Sequence, residues 1–459
     1  MAAPDELRSV NPATEALIEA FDGDDDAEIG RKLDAAVAAA ERWRAAPLTE
    51  RAQLLVAAAA LLRRDVDAHA AVITSEMGKA ITEARAEVEK CAFVCEYFAS
   101  ESARFLADEP APSDSPNSYI SFEPLGPVLA CMPWNFPYWQ VFRCAAPALA
   151  AGNTIVLKHA NNVTRSALRI EAVFREAGAE SGVFTTLLVP IAGVAGLIAD
   201  PRIAAVSLTG STAAGRAVGA TAGTNLKKCV LELGGSDAFV VLADADVDAA
   251  AEVGARSRFQ NAGQSCIAAK RFIVDRSVAA AFEERLVEHA RALVLGDPTS
   301  LATQMGPMAR ADLRASLESQ MQASLSAGAR LRTGGVRPAG AGFYLEPAVL
   351  TDCNADMPVF VEETFGPLAP LLTVDGDDEA IDVANRSRYG LGGNVWTRDI
   401  ERGTAAARRL RTGAVFINGM THSDPRLPFG GVRDSGYGRE LHRFGIQEFV
   451  DIKSMWRPA

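Results

Sequence analysis

The first third of the chain places apolar residues at helical spacing. The positions that recur every three or four residues are Ile29, Leu33, Val37 and Ala40, followed by Leu54, Leu55, Leu61, Leu62 and Val66. Alanine dominates the residues between them, which favours helix and close packing. We therefore predict helices over residues 28–105. The polar segment 108–118 contains three prolines and is predicted to be a connection.

From about residue 126, short apolar runs alternate with helical stretches. Strands are predicted at 154–158, 184–189, 204–208, 228–233 and 239–242, and helices at 165–177, 193–199 and 211–221. Short joints between strand and helix predict right-handed crossovers and a parallel sheet. Such sheets bind ligands at the carboxyl ends of their strands, so we expect a nucleotide site there.

The segment from about 234 to 430 alternates again and predicts a second α/β domain. Its clearest elements are strands at 271–274 and 414–418 and a helix at 279–295. The last residues, 448–456, carry Phe449, Val450, Ile452 and Trp456, which are more apolar than a free end requires. A chain of 459 residues is also too long for one hydrophobic core, so two or three domains are expected.

The net charge of the chain and the length of its apolar runs disfavour two classes of partner, nucleic acids and membranes. The net charge of −12 disfavours nucleic acid, because an acidic chain repels phosphate backbones. The longest aliphatic run, 54–62, is about half the length of a membrane span. Asp5 and Glu6 near the start do not fit the basic-then-apolar pattern of a secretory signal. We expect a cytoplasmic protein without nucleic-acid or membrane partners.

The seven cysteines predict a reducing compartment and no disulfide framework. Their number is odd and they are scattered over the chain, at Cys91, Cys95, Cys131, Cys144, Cys229, Cys266 and Cys353. Cys91 and Cys95 could share a helix face, but no histidine or second cysteine pair follows at zinc spacing. We interpret them as small apolar residues on a buried stripe and predict no metal.

Three other segments of the chain favour the interpretation of Cys266 as a nucleophile. A lone cysteine after a glycine-containing loop is more often a buried apolar residue than a nucleophile. Here, however, the chain also carries an acid before a glycine pair, an asparagine between prolines, and an acidic Gly-Pro loop. These segments are Leu231-Glu-Leu-Gly-Gly235, Pro133-Trp-Asn-Phe-Pro137 and Glu362-Glu-Thr-Phe-Gly-Pro367. Each is weak alone, but the four together are highly specific.

With Ser207-Leu-Thr-Gly-Ser211, Leu427-Pro-Phe-Gly-Gly431 and Ser435-Gly-Tyr-Gly-Arg-Glu440, these segments resemble the aldehyde dehydrogenase superfamily over essentially the whole chain. The resemblance implies an α/β fold with a Rossmann-like, parallel-sheet dinucleotide-binding domain at 1–107 and 126–231. It implies an α/β catalytic domain at 232–430. A small β oligomerisation arm would comprise 108–125 and the tail 431–459, with a homodimer or homotetramer as the assembly.

The resemblance also implies the catalytic roles. Cys266 would attack the aldehyde carbon, Asn135 would donate to the developing oxyanion, and Glu232 would activate the water that hydrolyses the thioester. Taken singly, Asn135 could be a turn residue before proline and Glu232 a strand-end surface acid. A non-catalytic protein of the same fold is a further alternative, disfavoured because all three residues are retained.

For the cofactor, no Gly-x-Gly-x-x-Gly follows an early strand. The resemblance assigns cofactor contacts to Trp134, Lys158, Asn161, Gly210, Ser211, Leu233, Glu363 and Phe365. NAD-preferring relatives often have glutamate at the position of Asn161, where it bonds the adenosine ribose. An uncharged residue there removes repulsion against a 2′-phosphate. NADP is therefore the predicted cofactor, with NAD possible.

For the substrate, Arg143 follows Trp134 by nine positions and resembles the residue that meets the distal carboxylate in succinate semialdehyde dehydrogenases. Many of these enzymes have a second arginine where this chain has Gln260; the shorter bacterial subgroup lacks it. Ser423 and Arg426 are candidates to complete the contact. We predict oxidation of succinate semialdehyde, with a broad-specificity or acylating aldehyde dehydrogenase as the alternatives.

Overall fold

The computed structural model describes residues 6–111 and 113–458. Its strands are β1 (Arg8–Val10), β2 (Leu17–Ala20), β3 (Glu109–Pro110), β4 (Tyr119–Pro124), β5 (Pro127–Met132), β6 (Thr154–His159), β7 (Phe184–Thr186), β8 (Ala205–Thr209), β9 (Lys228–Glu232), β10 (Asp237–Val241), β11 (Ala269–Asp275), β12 (Arg330–Thr333), β13 (Ala348–Thr351), β14 (Leu368–Val374), β15 (Gly393–Trp396), β16 (Phe416–Ile417), β17 (Gly436–Tyr437) and β18 (Val450–Met455).

The helices are α1 (Asp26–Ala45), α2 (Leu48–Arg64), α3 (Val66–Met77), α4 (Ile81–Phe105), α5 (Trp139–Ala151), α6 (Thr164–Glu176), α7 (Val194–Ala199), α8 (Thr212–Thr224), α9 (Val247–Phe259), α10 (Arg276–Ala292), α11 (Ala311–Ser326), α12 (Pro358–Val361), α13 (Asp377–Asn385), α14 (Ile400–Arg409) and α15 (His442–Gln447). The predicted α/β class is confirmed.

A six-stranded sheet in the order β17-β9-β8-β5-β6-β7 forms the first half of the molecule. All its neighbours are parallel except β17, which runs antiparallel to β9. The registers pair Met132 with His159 and Thr209 with Glu232, so three neighbouring strand pairs end at the same edge. Side chains that follow these strands are thereby brought together at the carboxyl edge, where parallel sheets bind ligands.

The helices before and after β5 cover this sheet and bury its apolar strands. Every residue of α5 is buried, as are Cys91 and Cys95 on α4, which confirms their assignment to a buried apolar stripe. α5 begins where the Glu87 side chain of α4 accepts the backbone N–H groups of Tyr138 and Trp139, at 2.8 and 3.0 Å. This cap satisfies helix-end donors that would otherwise lie unpaired in the core.

A seven-stranded sheet in the order β12-β13-β14-β11-β10-β15-β16 forms the second half. It is parallel apart from the β12–β13 pair. The chain passes from α9 through a single 3₁₀ turn, Gln260–Gly263, and a short loop into β11. That loop carries Cys266 towards the carboxyl edge of the first sheet.

A third, antiparallel sheet joins two distant segments. β4 lies between β3 and β18, with Ile452 opposite Phe122 and Met455 opposite Tyr119. Ile452 and Trp456 are exposed, with 66% and 60% of their surface accessible. The predicted domain boundaries, including the arm at 108–125 and 431–459, stay a prediction.

Several predicted elements differ from the observed ones at their ends. The helix predicted at 279–295 is α10, which begins and ends three residues earlier, and the strand predicted at 414–418 is reduced to β16. The connection predicted at 108–118 includes the short strand β3. Strands β12 to β15 were not individually predicted, because their runs are short and hardly alternate. Within the described residues no single helix has the length and apolarity to cross a bilayer; α1 and α2 meet those limits only when counted together, across a bend of 118°.

Candidate active site

Asn135 lies in the turn between β5 and α5 and is held at both ends of its amide. Its Nδ2 donates to the Gln264 carbonyl at 3.0 Å, and its Oδ1 accepts from Gln140 Nε2 at 3.1 Å. These bonds use one of the two Nδ2 hydrogens and fix the direction of the other. A second donor hydrogen with a fixed direction is what oxyanion stabilisation requires.

His159 holds the same turn from the end of β6. Its Nε2 lies 2.8 Å from the Pro137 carbonyl oxygen, and its Nδ1 lies 2.9 Å from the Ala160 backbone nitrogen and 3.1 Å from the Met132 carbonyl oxygen. Burial lowers the pKa of His159 to about 4, which keeps the ring neutral at physiological pH. The turn that carries Asn135 is therefore positioned by a neighbouring strand as well as by its own prolines.

The loop before Cys266 has a strained backbone. Asn261, Ala262 and Gly263 all have positive φ, at 54°, 51° and 71°. A Cβ at Gly263 would lie 2.3 Å from the Gly366 carbonyl oxygen, so only glycine fits there. Asn261 Nδ2 donates to the Asn135 carbonyl at 2.8 Å and to that of Gln264 at 3.1 Å. Consecutive left-handed residues are costly and persist where surrounding contacts enforce them, typically at functional sites.

The Cys266 side chain is half-buried, and two cations act on its thiol. Burial raises the pKa of Cys266 to about 11, and Lys270 and Arg143 act in the opposite direction. Lys270 Nζ donates to the carbonyls of Gly235 and Cys266, at 2.7 and 2.8 Å, and to Glu363 Oε1 at 2.9 Å. Lys270 thus ties the cysteine loop to the glycine pair and to the acidic loop near residue 363.

Two other loops approach Gly234 and Gly235 closely. A Cβ at Gly235 would lie 2.5 Å from the Cys266 carbonyl oxygen, and one at Gly234 would lie 2.4 Å from Glu363 Oε2. Larger residues would push the cysteine loop and the acidic loop away from β9. The spacing between Glu232 and the glycines therefore sets where Cys266 can lie.

Glu232, the last residue of β9, belongs to a buried group of charges with Glu440, Arg143 and Arg439. Among the described residues, neither carboxylate oxygen of Glu232 has a hydrogen-bond partner, and its surface is 2% exposed. Burial raises the pKa of Glu232 well above its usual range; Glu440 adds to this rise, whereas Arg143 and Arg439 oppose it. Buried unsatisfied carboxylates of this kind are typical of reactive groups.

Arg143 on α5 has partners within the protein. Its guanidinium forms an ion pair with Glu440, donates from Nη2 to Thr209 Oγ1 at 3.1 Å, and lies 4.6 Å from the centre of the Phe429 ring. Burial raises the pKa of Glu440, and Arg143 opposes this rise. These contacts already engage the charge of Arg143. That Arg143 binds a substrate carboxylate stays a prediction.

A cavity of about 100 Å³ opens beside the thiol. Its wall includes Cys266, Arg143, Gln260, Trp139, Lys90 and Ser423. Ser423 therefore lies with Cys266, in agreement with the candidate position given to it by the sequence. Arg426 does not line the cavity: its guanidinium is exposed and pairs with Asp424, with N–O distances of 2.6 and 2.8 Å.

The residues expected to bind a dinucleotide gather at the carboxyl edge of the six-stranded sheet. Lys158 Nζ donates to Asn161 Oδ1 at 2.8 Å beyond β6. Ser211 caps the 13-residue helix α8, accepting from the Ala214 N–H at 3.2 Å. A lysine, a hydroxyl and a helix N-terminus on one edge form a donor set that suits phosphate groups.

The other expected cofactor residues lie nearer Cys266. The rings of Trp134 and Phe365 meet edge to face, with centroids 5.8 Å apart. The Glu363 carboxylate accepts from Lys270 and from the Gly235 N–H at 3.0 Å. The Gly210 N–H donates to the Glu232 carbonyl and the Leu233 N–H to that of Ser435, while Leu233 packs on Gly215. This set fits a nicotinamide nucleotide: phosphate donors at α8, aromatic walls and an acid near the thiol.

Three residues of the site carried no prediction from the sequence. Glu440 ends the Ser435–Glu440 motif, and the apolar residues around Lys270 could have indicated a buried partner for its charge. Lys90 has no such signal, because it stands on an ordinary amphipathic helix, far along the chain from the cysteine. Only the packing of α4 against α5 reveals its position.

Comparison with known proteins agrees with this arrangement. The model of the aldehyde dehydrogenase family matches residues 1–455. The chain is 48% identical, over 98% of its length and 99% of the relative's, to the probable NADP(+) succinate-semialdehyde dehydrogenase of Synechocystis sp.. It is 46% identical to the NAD(P)+ succinate semialdehyde dehydrogenase of Escherichia coli, over 98% and 97% of the two chains. The structure of succinic semialdehyde dehydrogenase from Streptococcus pyogenes, in complex with NADP+, superposes with a TM-score of 0.96 at 39% identity, covering 99% and 100% of the two chains.

Proposed function

Because the chain belongs to the aldehyde dehydrogenase family, we propose that it oxidises succinate semialdehyde to succinate with NADP as the preferred oxidant. The observation that carries this proposal is the cavity beside Cys266, which has two basic side chains, Arg143 and Lys90, and a buried hydroxyl at Ser423 in its wall. Arg143 is paired with Glu440, but Lys90 has no carboxylate in contact with it among the described residues, so the cavity is poorly suited to a neutral aldehyde, because uncompensated buried charge is costly. An aldehyde with a distal carboxylate complements it.

In the proposed reaction the Cys266 sulfur forms a bond to the aldehyde carbon, and the carbonyl oxygen takes up the electron pair. The second Nδ2 hydrogen of Asn135 stabilises that oxygen, and Arg143 and Lys270 favour the thiolate over the thiol. A nicotinamide nucleotide, when bound, supplies the two-electron oxidant that converts the adduct to a thioester. Lys158, Asn161 and Ser211 would hold its ribose and phosphates, with Trp134, Gly210, Leu233, Glu363 and Phe365 nearer the nicotinamide.

Glu232 would serve the hydrolytic half of the reaction. Its raised pKa makes the carboxylate a stronger base than one in water, and no protein donor competes for its oxygens among the described residues. It takes a proton from water as the water oxygen attacks the thioester carbon, and the Cys266 sulfur leaves as thiolate. Retention of this base argues against an acylating enzyme, which has no need to activate water.

The preference for NADP rests on Asn161, which bonds Lys158 at the edge of β6. An acid at this position would repel a 2′-phosphate, whereas an amide adds no negative charge there. NAD remains a second substrate in this proposal. Relatives named for NADP(+) and for NAD(P)+ agree with such a range.

We further propose a homo-oligomer in the cytoplasm. A dimer or tetramer would cover the exposed Ile452 and Trp456 at the edge strand β18. All seven cysteines are free thiols, as expected in a reducing compartment. Light scattering on the purified protein tests the assembly, and a monomer would contradict it.

A steady-state comparison tests the function. Efficiency should be highest for succinate semialdehyde with NADP and lower for butanal, a neutral aldehyde of the same length. Cys266→Ala should abolish turnover of both while leaving cofactor binding intact, since the side chain is small and its role covalent. Equal efficiency on the two aldehydes would overturn the proposed substrate, and turnover by Cys266→Ala would overturn the mechanism.

A further inference from the structure

Lys90 places a cation in the cavity wall, and no carboxylate among the described residues is in contact with it. The residue belongs to α4; its Nζ donates to Ser423 Oγ at 2.9 Å and lies 4.1 Å from the centre of the Trp139 ring. Within residues 6–111 and 113–458, its nearest acids, Glu87 and Asp424, act on it without direct contact. A mostly buried ammonium without an anionic partner is costly, and such sites are retained where a ligand supplies the missing charge.

Arg143, the other cation of the cavity, differs in this respect. Its guanidinium is in contact with the buried carboxylate of Glu440 and with Thr209. A substrate carboxylate near Arg143 would have to share that charge with Glu440 and would be repelled by it. Lys90 carries no such competitor.

The Ser423 hydroxyl supplies a second donor beside Lys90. Its oxygen accepts from Lys90 Nζ at 2.9 Å and from Trp139 Nε1 at 3.0 Å, so both lone pairs are used. The hydroxyl hydrogen has no acceptor among the described residues. It is therefore committed to donating, and the Lys90 ammonium keeps two further hydrogens.

We propose that Lys90 and Ser423 together bind the distal carboxylate of the substrate. One carboxylate oxygen would accept hydrogen bonds from the Lys90 ammonium and from the Ser423 hydroxyl, while Arg143 stays in its ion pair with Glu440. This inference rests on the proposed function and deepens it. It supplies the group that replaces the second arginine absent at Gln260. Because both donors lie in the wall of the same cavity as Cys266, a short ω-carboxy aldehyde can reach both ends.

The charge state of Lys90 gives the proposal a pH signature. Burial and Arg143 lower the pKa of Lys90 to about 8, and Cys91, Glu87 and Asp424 oppose this in part. The ammonium is present below that pKa and is lost as the pH rises through it. Efficiency on succinate semialdehyde, relative to butanal, should therefore fall between about pH 8 and pH 10, because the ratio cancels effects on the common chemistry.

The first test compares the two aldehydes in Lys90→Met, which keeps the side chain's length and removes its charge. The ratio of kcat/KM for succinate semialdehyde to that for butanal should drop roughly 10- to 100-fold. Arg104→Met is the matched control, since it removes one exposed cation from the same helix, outside the cavity. Its ratio should stay within about twofold of the parent enzyme.

The second test uses Lys90→Arg, which keeps a charge that does not titrate in this range. The pH-dependent fall of the ratio should disappear in this variant, whatever its absolute activity. A Lys90→Met ratio within twofold of the parent, or a Lys90→Arg profile that still falls near pH 8, would overturn the role of Lys90. If the parent enzyme itself does not prefer succinate semialdehyde, the proposed substrate fails and this inference fails with it.

Discussion

Two buried ion pairs contact helix α5, one at its start and one a turn later, and the two are built differently. At its start, Glu87 is bonded to Lys79 and accepts the N–H groups of Tyr138 and Trp139, while Lys79 also lies 3.8 Å from the Phe136 ring centre. One turn later, Arg143 meets Glu440, and Glu440 stands close enough to Glu232 to raise the pKa of Glu232 through like charge.

The difference lies in how far each carboxylate is satisfied. Glu87 has an ammonium and two amide donors, so its charge is complemented in all directions. Glu232 has no hydrogen-bond donor among the described residues, and Glu440 has only the guanidinium contact. A satisfied buried pair holds a helix in place, whereas an unsatisfied one stays able to take up and release a proton.

Glu232→Gln is expected to have the largest effect, because it removes the carboxylate proposed to activate water. The amide cannot accept a proton from water, so steady-state turnover should fall roughly 100- to 10,000-fold. A stoichiometric burst of reduced cofactor should remain, because thioester formation does not need this base. Thermal unfolding should occur at the same temperature or higher, since a buried unpaired acid has been removed. A variant that loses the burst along with turnover would place Glu232 in the first half-reaction.

Glu87→Gln should affect stability instead. Breaking a buried pair leaves the Lys79 charge uncompensated, so the free energy of unfolding should fall by about 3–5 kcal/mol. Denaturant titration measures this, and kcat per folded molecule should change far less than in Glu232→Gln. A large loss of kcat without loss of stability would contradict the division between the two pairs.

Arg143→Ala removes the cation that lowers the pKa of both Glu232 and Glu440. Glu440 and Glu232 would then lack their main compensating charge, and the pKa of Cys266 would rise because Arg143 lowers it. Efficiency should fall roughly 30- to 1000-fold on succinate semialdehyde and on butanal alike. The rise of kcat/KM with pH should shift to higher pH with butanal. A loss confined to succinate semialdehyde would instead give Arg143 the carboxylate-reading role that its position in the sequence indicates.

The smallest effect is expected at the edge of β6, where the Lys158–Asn161 contact involves a single charge. Asn161→Glu would convert it to an ion pair and place an acid where a 2′-phosphate is expected. The ratio of efficiencies with NADP and NAD should shift towards NAD by about 1–2 kcal/mol, the size of one partly screened repulsion. Asn161→Gln, which adds length without charge, is the control. An unchanged ratio in Asn161→Glu would mean that this residue lies away from the 2′ position.

The sequence predicts the parts of this molecule that are coded locally. Apolar residues at helical spacing locate α1 and α2 within a segment predicted to be helical as far as residue 105, and contiguous motifs locate Cys266, Asn135 and Glu232. Glycines beside Glu232 indicate close approach without saying to what; the structure shows that the neighbour is the Cys266 carbonyl. The positions of these residues relative to one another depend on which strands pair, and no local pattern specifies that pairing.

Contacts between distant segments also depend on which strands pair, so the sequence alone does not predict them. Lys90 meets Ser423 across 333 positions, and Arg143 meets Glu440 from the other end of the chain. A basic residue on an amphipathic helix is usually a solvated surface group, so nothing in the sequence distinguishes Lys90 from the other lysines. Arg143 was noticed because a family motif precedes it, yet its counter-ion lies in a separate motif whose spacing to it is arbitrary.

The left-handed residues 261–263 have a consequence for how activity is acquired. Their conformation is held by Asn135 and Gln264, and Asn135 belongs to the other sheet. If the half that contains this loop folded alone, the loop would lack its contact with Asn135. During refolding, secondary structure should therefore recover first. Catalytic activity should appear only when the two halves have docked, so the recovery of turnover would report the last step of assembly.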